Sequence, residues 1–166
     1  VGFVNKKGEA ERSVVETMNA AILHRGPDED GFFVKETVAL AMRRLSIIDL
    51  ASGQQPIFTP DGTKCIVFNG EIYNYQELRE GLIARGHKLK TKSDTEAVLH
   101  LYDEYGPDCL QHLRGMFAIA IWDDVEKTLF LADHDNGTDR IDPTQPAPKT
   151  GPMRIYSFPL GANGLV

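Results

Sequence analysis

Cys65-Ile66-Val67-Phe68-Asn69-Gly70-Glu71-Ile72-Tyr73-Asn74-Tyr75 sets strand, turn and helix start side by side. Cys65 to Phe68 is apolar and rich in branched or aromatic residues, which predicts a buried strand. Asn69-Gly70 is a turn signal and is expected to break it. Asn74-Tyr75-Gln76-Glu77 has the spacing of a capping box and predicts a helix from Tyr75. An amide side chain and a glycine N–H at the end of a buried strand suit the stabilisation of a developing oxyanion.

Outward from this stretch, strand signals come in pairs. Asp61-Gly62 after Pro60 predicts a hairpin between Ile57-Phe58 and Cys65–Phe68. Met116–Trp122 and Thr128–Leu131 form a second hairpin around Asp123-Asp124. Gly31–Val34 and Val38–Arg43 read as neighbouring strands, and Val1–Val4 as a short apolar strand. Helix signals form a separate set. Ser13-Val14-Val15-Glu16 reads as a capping box before a helix burying Val14, Met18, Ala21 and Ile22. The helix at Tyr75–Arg85 points Leu78, Leu82 and Ile83 inward and stops at Gly86. Ser93-Asp94-Thr95-Glu96 opens another, with Val98, Leu101, Tyr102 and Tyr105 on its buried side, and Gly106-Pro107 ends it. Hairpins with a separate helix set argue for an α+β fold.

The chain has 166 residues, 42% of them hydrophobic, enough for one domain with a real core. A net charge of −6 and a pI of 5.3, with no basic block, argue against a nucleic-acid or anionic-membrane partner. No apolar run approaches the roughly 20 residues that span a bilayer. Cys65 and Cys109 make no disulfide framework, and a reducing cytoplasm is expected. The chain opens on Val1 without a methionine, so its native start is expected upstream. The five histidines show no metal-ligand spacing, and no metal is expected. Beyond Ala132 prolines accumulate and amphipathic periodicity fades, apart from a short strand signal near Arg154–Phe158. Residues 133–166 therefore read as a divergent, poorly structured tail after a domain at 1–132.

Five motifs follow one another in order: His24-Arg25-Gly26-Pro27-Asp28, Arg44-Leu45-Ser46-Ile47-Ile48-Asp49-Leu50, the Asn69 run, Ser93-Asp94-Thr95-Glu96, and Gly115-Met116-Phe117-Ala118. Together they closely resemble class II glutamine amidotransferase domains. Within that class they look like the N-terminal domain of glutamine-hydrolysing asparagine synthetases. The resemblance runs from Val1 to about Ala132. It implies an Ntn-hydrolase-like αββα sandwich of two antiparallel sheets, here incomplete, and the hydrolysis of glutamine to glutamate and ammonia.

It also implies residue roles. Asn69 and Gly70 match the oxyanion hole, whose single donors are typically worth roughly 3–4 kcal/mol of barrier. Arg44 matches the partner of the substrate carboxylate, for which a planar guanidinium is well shaped. The backbone of Leu45, Ser46, Ile47 and Ile48 matches the pocket lining. Asp94 matches the acid that holds the substrate ammonium, with Glu71 nearby. Taken alone, each has an ordinary reading: Asp94 is capping chemistry, Asn69-Gly70 a turn, and Arg44 with Arg43 a solvated pair. Their joint order favours the functional one.

Two departures follow from the same comparison. The family's nucleophile is an N-terminal cysteine in an opening that reads cysteine, glycine, isoleucine, valine, glycine, phenylalanine. Val1-Gly2-Phe3 matches its last three residues, so the nucleophile would lie three residues upstream and the chain as written is expected to be inactive. Cys65 does not replace it. Four strand residues put it roughly 13 Å from Asn69. After Ala132 the family's further strands are not matched, so the sheet edge there is expected to be bare. No cofactor is expected in this domain. ATP and Mg belong to the synthetase domain that the resemblance implies as a covalent partner. A glutamine-binding module without catalysis, and service to a non-asparagine acceptor, are the alternatives.

Overall fold

The computed structural model describes residues 1–45 and 54–134, and a strand at 154–159. Eight strands and three α-helices follow in the order β1 (Gly2–Val4), α1 (Arg12–Ala21), β2 (Glu29–Lys35), β3 (Val38–Arg44), β4 (Ile57–Phe58), β5 (Lys64–Ile72), α2 (Tyr75–Ala84), α3 (Asp94–Tyr105), β6 (Gly115–Asp123), β7 (Thr128–His134) and β8 (Arg154–Pro159). They build two antiparallel sheets, ordered β1-β3-β2 and β4-β5-β6-β7-β8.

Side-chain alternation stacks these sheets between helices. On β3, Ala39 and Ala41 turn outward to meet Val15 of α1, while Val38 and Leu40 turn inward. Two alanines on the outer face let the helix approach closely. On β5 and β6, Cys65 and Trp122 face the first sheet, while Ile66, Phe68, Ile119 and Ile121 face the opposite way into the core shared with α2 and α3. The register sets these rows side by side, Cys65 opposite Trp122 and Ile66 opposite Ile121. Each fully buried side chain of this size contributes about 1.5–3 kcal/mol. The result is the α+β sandwich of two antiparallel sheets expected from the sequence.

Local expectations fared unevenly. The Asn69-Gly70 pair does not end its strand. β5 runs on to Ile72, and its pairing with β6 continues to Ile72 opposite Gly115. Gly70 makes this possible: its φ is +145°, and a Cβ there would lie 2.6 Å from the Phe117 Cα.

Asn74 precedes α2 but caps nothing with its side chain. Its Nδ2 donates to the His112 carbonyl at 3.0 Å and its Oδ1 accepts from the Arg114 N–H at 3.0 Å, tying down the entry to β6. Nor is Ser13 a cap, because α1 begins at Arg12 behind Glu11. Val14, Ala21, Ile83 and Tyr105, expected inside, are exposed; Leu82 and Tyr102 are buried as expected, and on α1 Val15 rather than Val14 is buried. The edge expected to be bare beyond β7 is occupied by β8, which pairs along it from Thr128 to Asp133.

Candidate functional site

The site is built at one end of the space between the sheets, where small residues leave room. Ala118 and Ala120 of β6 floor a cleft of about 850 Å³, walled by Val1, Gly2, Leu40, Met42, Val67 and Leu131 and ringed by Arg25, Arg43, Asn69 and Asp133. Asn69 reaches it because it shares the inward face of β5 with Cys65 and Val67. It lies opposite Ala118, which in turn lies opposite Asp133. The Asn69 amide is exposed and makes no side-chain hydrogen bond with another described residue. Gly70 follows it, pressed against the β6 backbone at Met116 and Phe117. Glu71, opposite Met116, is exposed on the same strand end.

Arg44 closes β3. Two-residue alternation puts it on the same face as Leu40 and Met42 and Arg43 on the other, yet it is Arg43, not Arg44, that borders the cleft. The two arginines are therefore not a side-by-side pair. Arg44 is only 16% exposed and meets Glu29, its cross-strand partner, at 3.1 Å. The turn at His24–Asp28 packs onto this strand end. A Cβ on Gly26 would stand 2.8 Å from the Arg43 carbonyl oxygen, and the Asp28 N–H donates to the Arg44 carbonyl at 3.2 Å. Leu45 is exposed; Ser46, Ile47 and Ile48 lie outside the described residues.

Asp94 arrives from α3. Its Oδ2 accepts the Ile72 N–H at 3.1 Å and its Oδ1 accepts the Thr95 N–H at 2.7 Å. The capping work falls to Ser93, whose hydroxyl accepts the Glu96 N–H. Asp94 is thus freed from capping and bonded to the end of the strand that carries Asn69, Gly70 and Glu71.

Arg25 and Asp133 also border the cleft, although sequence reading assigned neither to it. Asp133 was legible in principle, since it continues the inward alternation of Leu129 and Leu131. Arg25 reaches the cleft only through the fold of the His24–Asp28 turn.

Neither cysteine belongs to the site. Both are buried, and burial pushes the thiols of Cys65 and Cys109 up to about 12, far from a reactive thiolate at neutral pH. In the native chain at pH 8, iodoacetamide is expected to leave both unmodified over a time that fully labels the unfolded chain. Stoichiometric labelling by mass spectrometry would contradict their burial. Among the described residues no group of three His, Cys, Asp or Glu side chains could hold a metal ion, and no helix is long and apolar enough to cross a membrane.

Four similarities bear on this arrangement. Residues 1–140 match the family described as a glutamine amidotransferase domain. Over 136 residues the chain is 47% identical to glutamine-hydrolysing asparagine synthetase 1 of Bacillus subtilis, covering 80% of this chain and 22% of that protein. Over 127 residues it is 41% identical to glutamine-hydrolysing asparagine synthetase 3 of Arabidopsis thaliana, covering 76% of this chain and 22% of the relative. The chain thus spans about a fifth of the length of these relatives. Among solved structures, the glutamine phosphoribosylpyrophosphate amidotransferase of B. subtilis superposes with a TM-score of 0.52 at 26% identity, over 63% of this chain and 24% of that one.

Proposed function

Since the chain belongs to the glutamine amidotransferase domain family, we propose that the cleft end around Asn69 is a glutamine site serving ammonia release. The observation that carries this reading is the hydrogen bond from Ile72 N–H to Asp94. It puts the carboxylate suited to a substrate ammonium beside the strand that bears the oxyanion donors. Arg44, which closes β3 but does not line the cleft, takes the substrate carboxylate, with Glu29 yielding part of its hold. The family resemblance gives the backbone of Leu45 and residues 46–48 the role of pocket lining.

The nucleophile in this reading is a cysteine three residues before Val1. Val1 and Ala41 exchange both backbone hydrogen bonds, each at 2.8 Å. Each step back along β1 advances one residue along β3, so the third residue upstream falls opposite Arg44. That is the end of β3 that carries Arg44, where the substrate would be gripped.

The cysteine thiol gives its proton to its own α-amino group, and sulfur attacks the amide carbon. The oxyanion formed is held by the Asn69 amide and the Gly70 N–H. The C–N bond then breaks, ammonia leaves with the proton from the α-amino group, and a glutamyl thioester remains. Water hydrolyses it to glutamate.

In the whole protein the ammonia is consumed in the cytoplasm by a following synthetase domain, which uses ATP and Mg to convert aspartate to asparagine. Two further readings keep the same site: a glutamine-binding module without turnover, and a domain feeding another carboxylate acceptor.

Calorimetric titration of this chain with L-glutamine tests the site without requiring turnover. Arg44→Ala should weaken binding about tenfold or more, and Arg44→Lys less, since lysine keeps the charge but not the planar fork. Absence of binding to the parent chain, or binding indifferent to Arg44, would reject the proposal.

A further inference from the structure

Below Asp94 lies a carboxylate that the proposed chemistry does not use. Glu96 is 2% exposed. A buried carboxylate is costly unless fully hydrogen-bonded, and this one is. Oε1 accepts the Lys90 N–H at 2.7 Å. Oε2 accepts the Thr91 N–H at 2.6 Å and the Thr91 hydroxyl at 2.7 Å.

The pattern differs from an ordinary capping box, where the acid reaches back to the N-cap N–H. Here the Ser93 N–H donates instead to the Thr91 hydroxyl at 3.2 Å. The Ser93 and Thr91 hydroxyl oxygens lie 2.9 Å apart. Since Ser93 also accepts the Glu96 N–H at 3.2 Å, a closed ring forms: Glu96 backbone, Ser93, Thr91, Glu96 carboxylate. Arg79 of α2 adds a bond to the Thr91 carbonyl. Asp94 lies in the chain between Ser93 and Glu96, the two residues that this ring ties together. The carboxylate therefore fixes the chain entering the helix as well as the helix itself.

Two imidazoles continue from it. His100 Nε2 lies 3.9 Å from Glu96 Oε1, its Nδ1 is 3.0 Å from His87 Nδ1, and His87 Nε2 lies 3.3 Å from Glu104. These side chains join α3 to the segment that leaves α2.

We propose that Glu96 is a positioning residue for the amino-acid end of the substrate: it locks residues 90–93 so that the Asp94 carboxylate is held at the Ile72 N–H. The role in substrate binding rests on the reading of Asp94 as the ammonium partner. The geometric role does not. Glutamine at position 96 could not accept all three donors, because its amide nitrogen only donates.

Amide hydrogen exchange read by NMR, with glutamine titration alongside, tests both parts on this chain. In Glu96→Gln the Ile72 amide should exchange about tenfold faster while the core amides of Ile66 and Ile119 keep their protection. Glutamine affinity should fall about tenfold, as it should in Asp94→Asn. An unchanged Ile72 amide with unchanged affinity would overturn the positioning role. Should Glu96→Gln lose core protection too, Thr91→Val decides. It removes the Thr91 hydroxyl from the ring while leaving both backbone donors to Glu96, and an Ile72 amide that does not respond to it overturns the proposal. If the parent chain does not bind glutamine, the reading of the site falls, while the Ile72 arm still reports on the link between Glu96 and Asp94.

Discussion

Asn69→Ala, in a folded chain extended to begin with a free cysteine three residues before Val1, is expected to lower kcat for glutamine hydrolysis by roughly 100-fold or more, with KM little changed. The size follows from where the interaction acts. A donor aimed at the oxyanion stabilises the tetrahedral intermediate far more than the ground-state amide, so its loss falls on the barrier. The Asn69 side chain makes the result readable. It is exposed and makes no side-chain hydrogen bond with another described residue, so its truncation should change stability by no more than about 0.5 kcal/mol. A variant that unfolds at the parent's urea midpoint yet turns over at the parent's rate would remove Asn69 from the chemistry.

Gly70→Ala should behave in the opposite way, through the fold. At φ +145° an alanine is strained, and its Cβ would lie 2.6 Å from the Phe117 Cα and closer still to the Met116 carbonyl. Both clashes are with backbone paired in the middle of the second sheet, which has little freedom to retreat. Strain and displacement together should cost about 3 kcal/mol, read as a lower urea midpoint. Any remaining hydrolysis in the extended chain should fall as well, since the Gly70 N–H moves with the strand. Unfolding within about 0.5 kcal/mol of the parent would mean that β5 does not hug β6 at this point.

These two residues also show what a sequence can and cannot disclose. The α+β class was legible because strand signals came in hairpins and helix signals in a separate set, while the layering of two sheets came from the family resemblance. Hairpin pairing of β4 with β5 and β6 with β7 followed from short connections bearing turn residues. Asn69-Gly70 misled because the deciding neighbour is remote. Gly115 and the β6 backbone come close enough to continue the pairing through Gly70, and nothing within the local sequence announces that. Asn74 misled for the same reason, since its amide serves residues 112 and 114 rather than the helix it precedes.

The buried face of α1 was displaced by a residue, from Val14 to Val15, and that of α2 was drawn too wide at Ile83, because tertiary contact fixes the rotation. The edge filled by β8 came from a strand whose signal was present at Arg154–Phe158 but whose partner was not evident. Of the candidate site, Arg44, Asn69 and Asp94 were named from motif order, and the structure puts Asn69 in the cleft and bonds Asp94 to the end of its strand. The Glu96 ring was not, because its acceptor role depends on how residues 90 and 91 fold back over the helix start.

Ammonium release from L-glutamine, compared between this chain and the same chain extended upstream to a free N-terminal cysteine, tests the proposed function most directly. The expected result is release by the folded extended chain alone, abolished by prior alkylation of that cysteine. Release at a matching rate by the chain beginning at Val1, or none from a folded extended chain that binds glutamine, would contradict it.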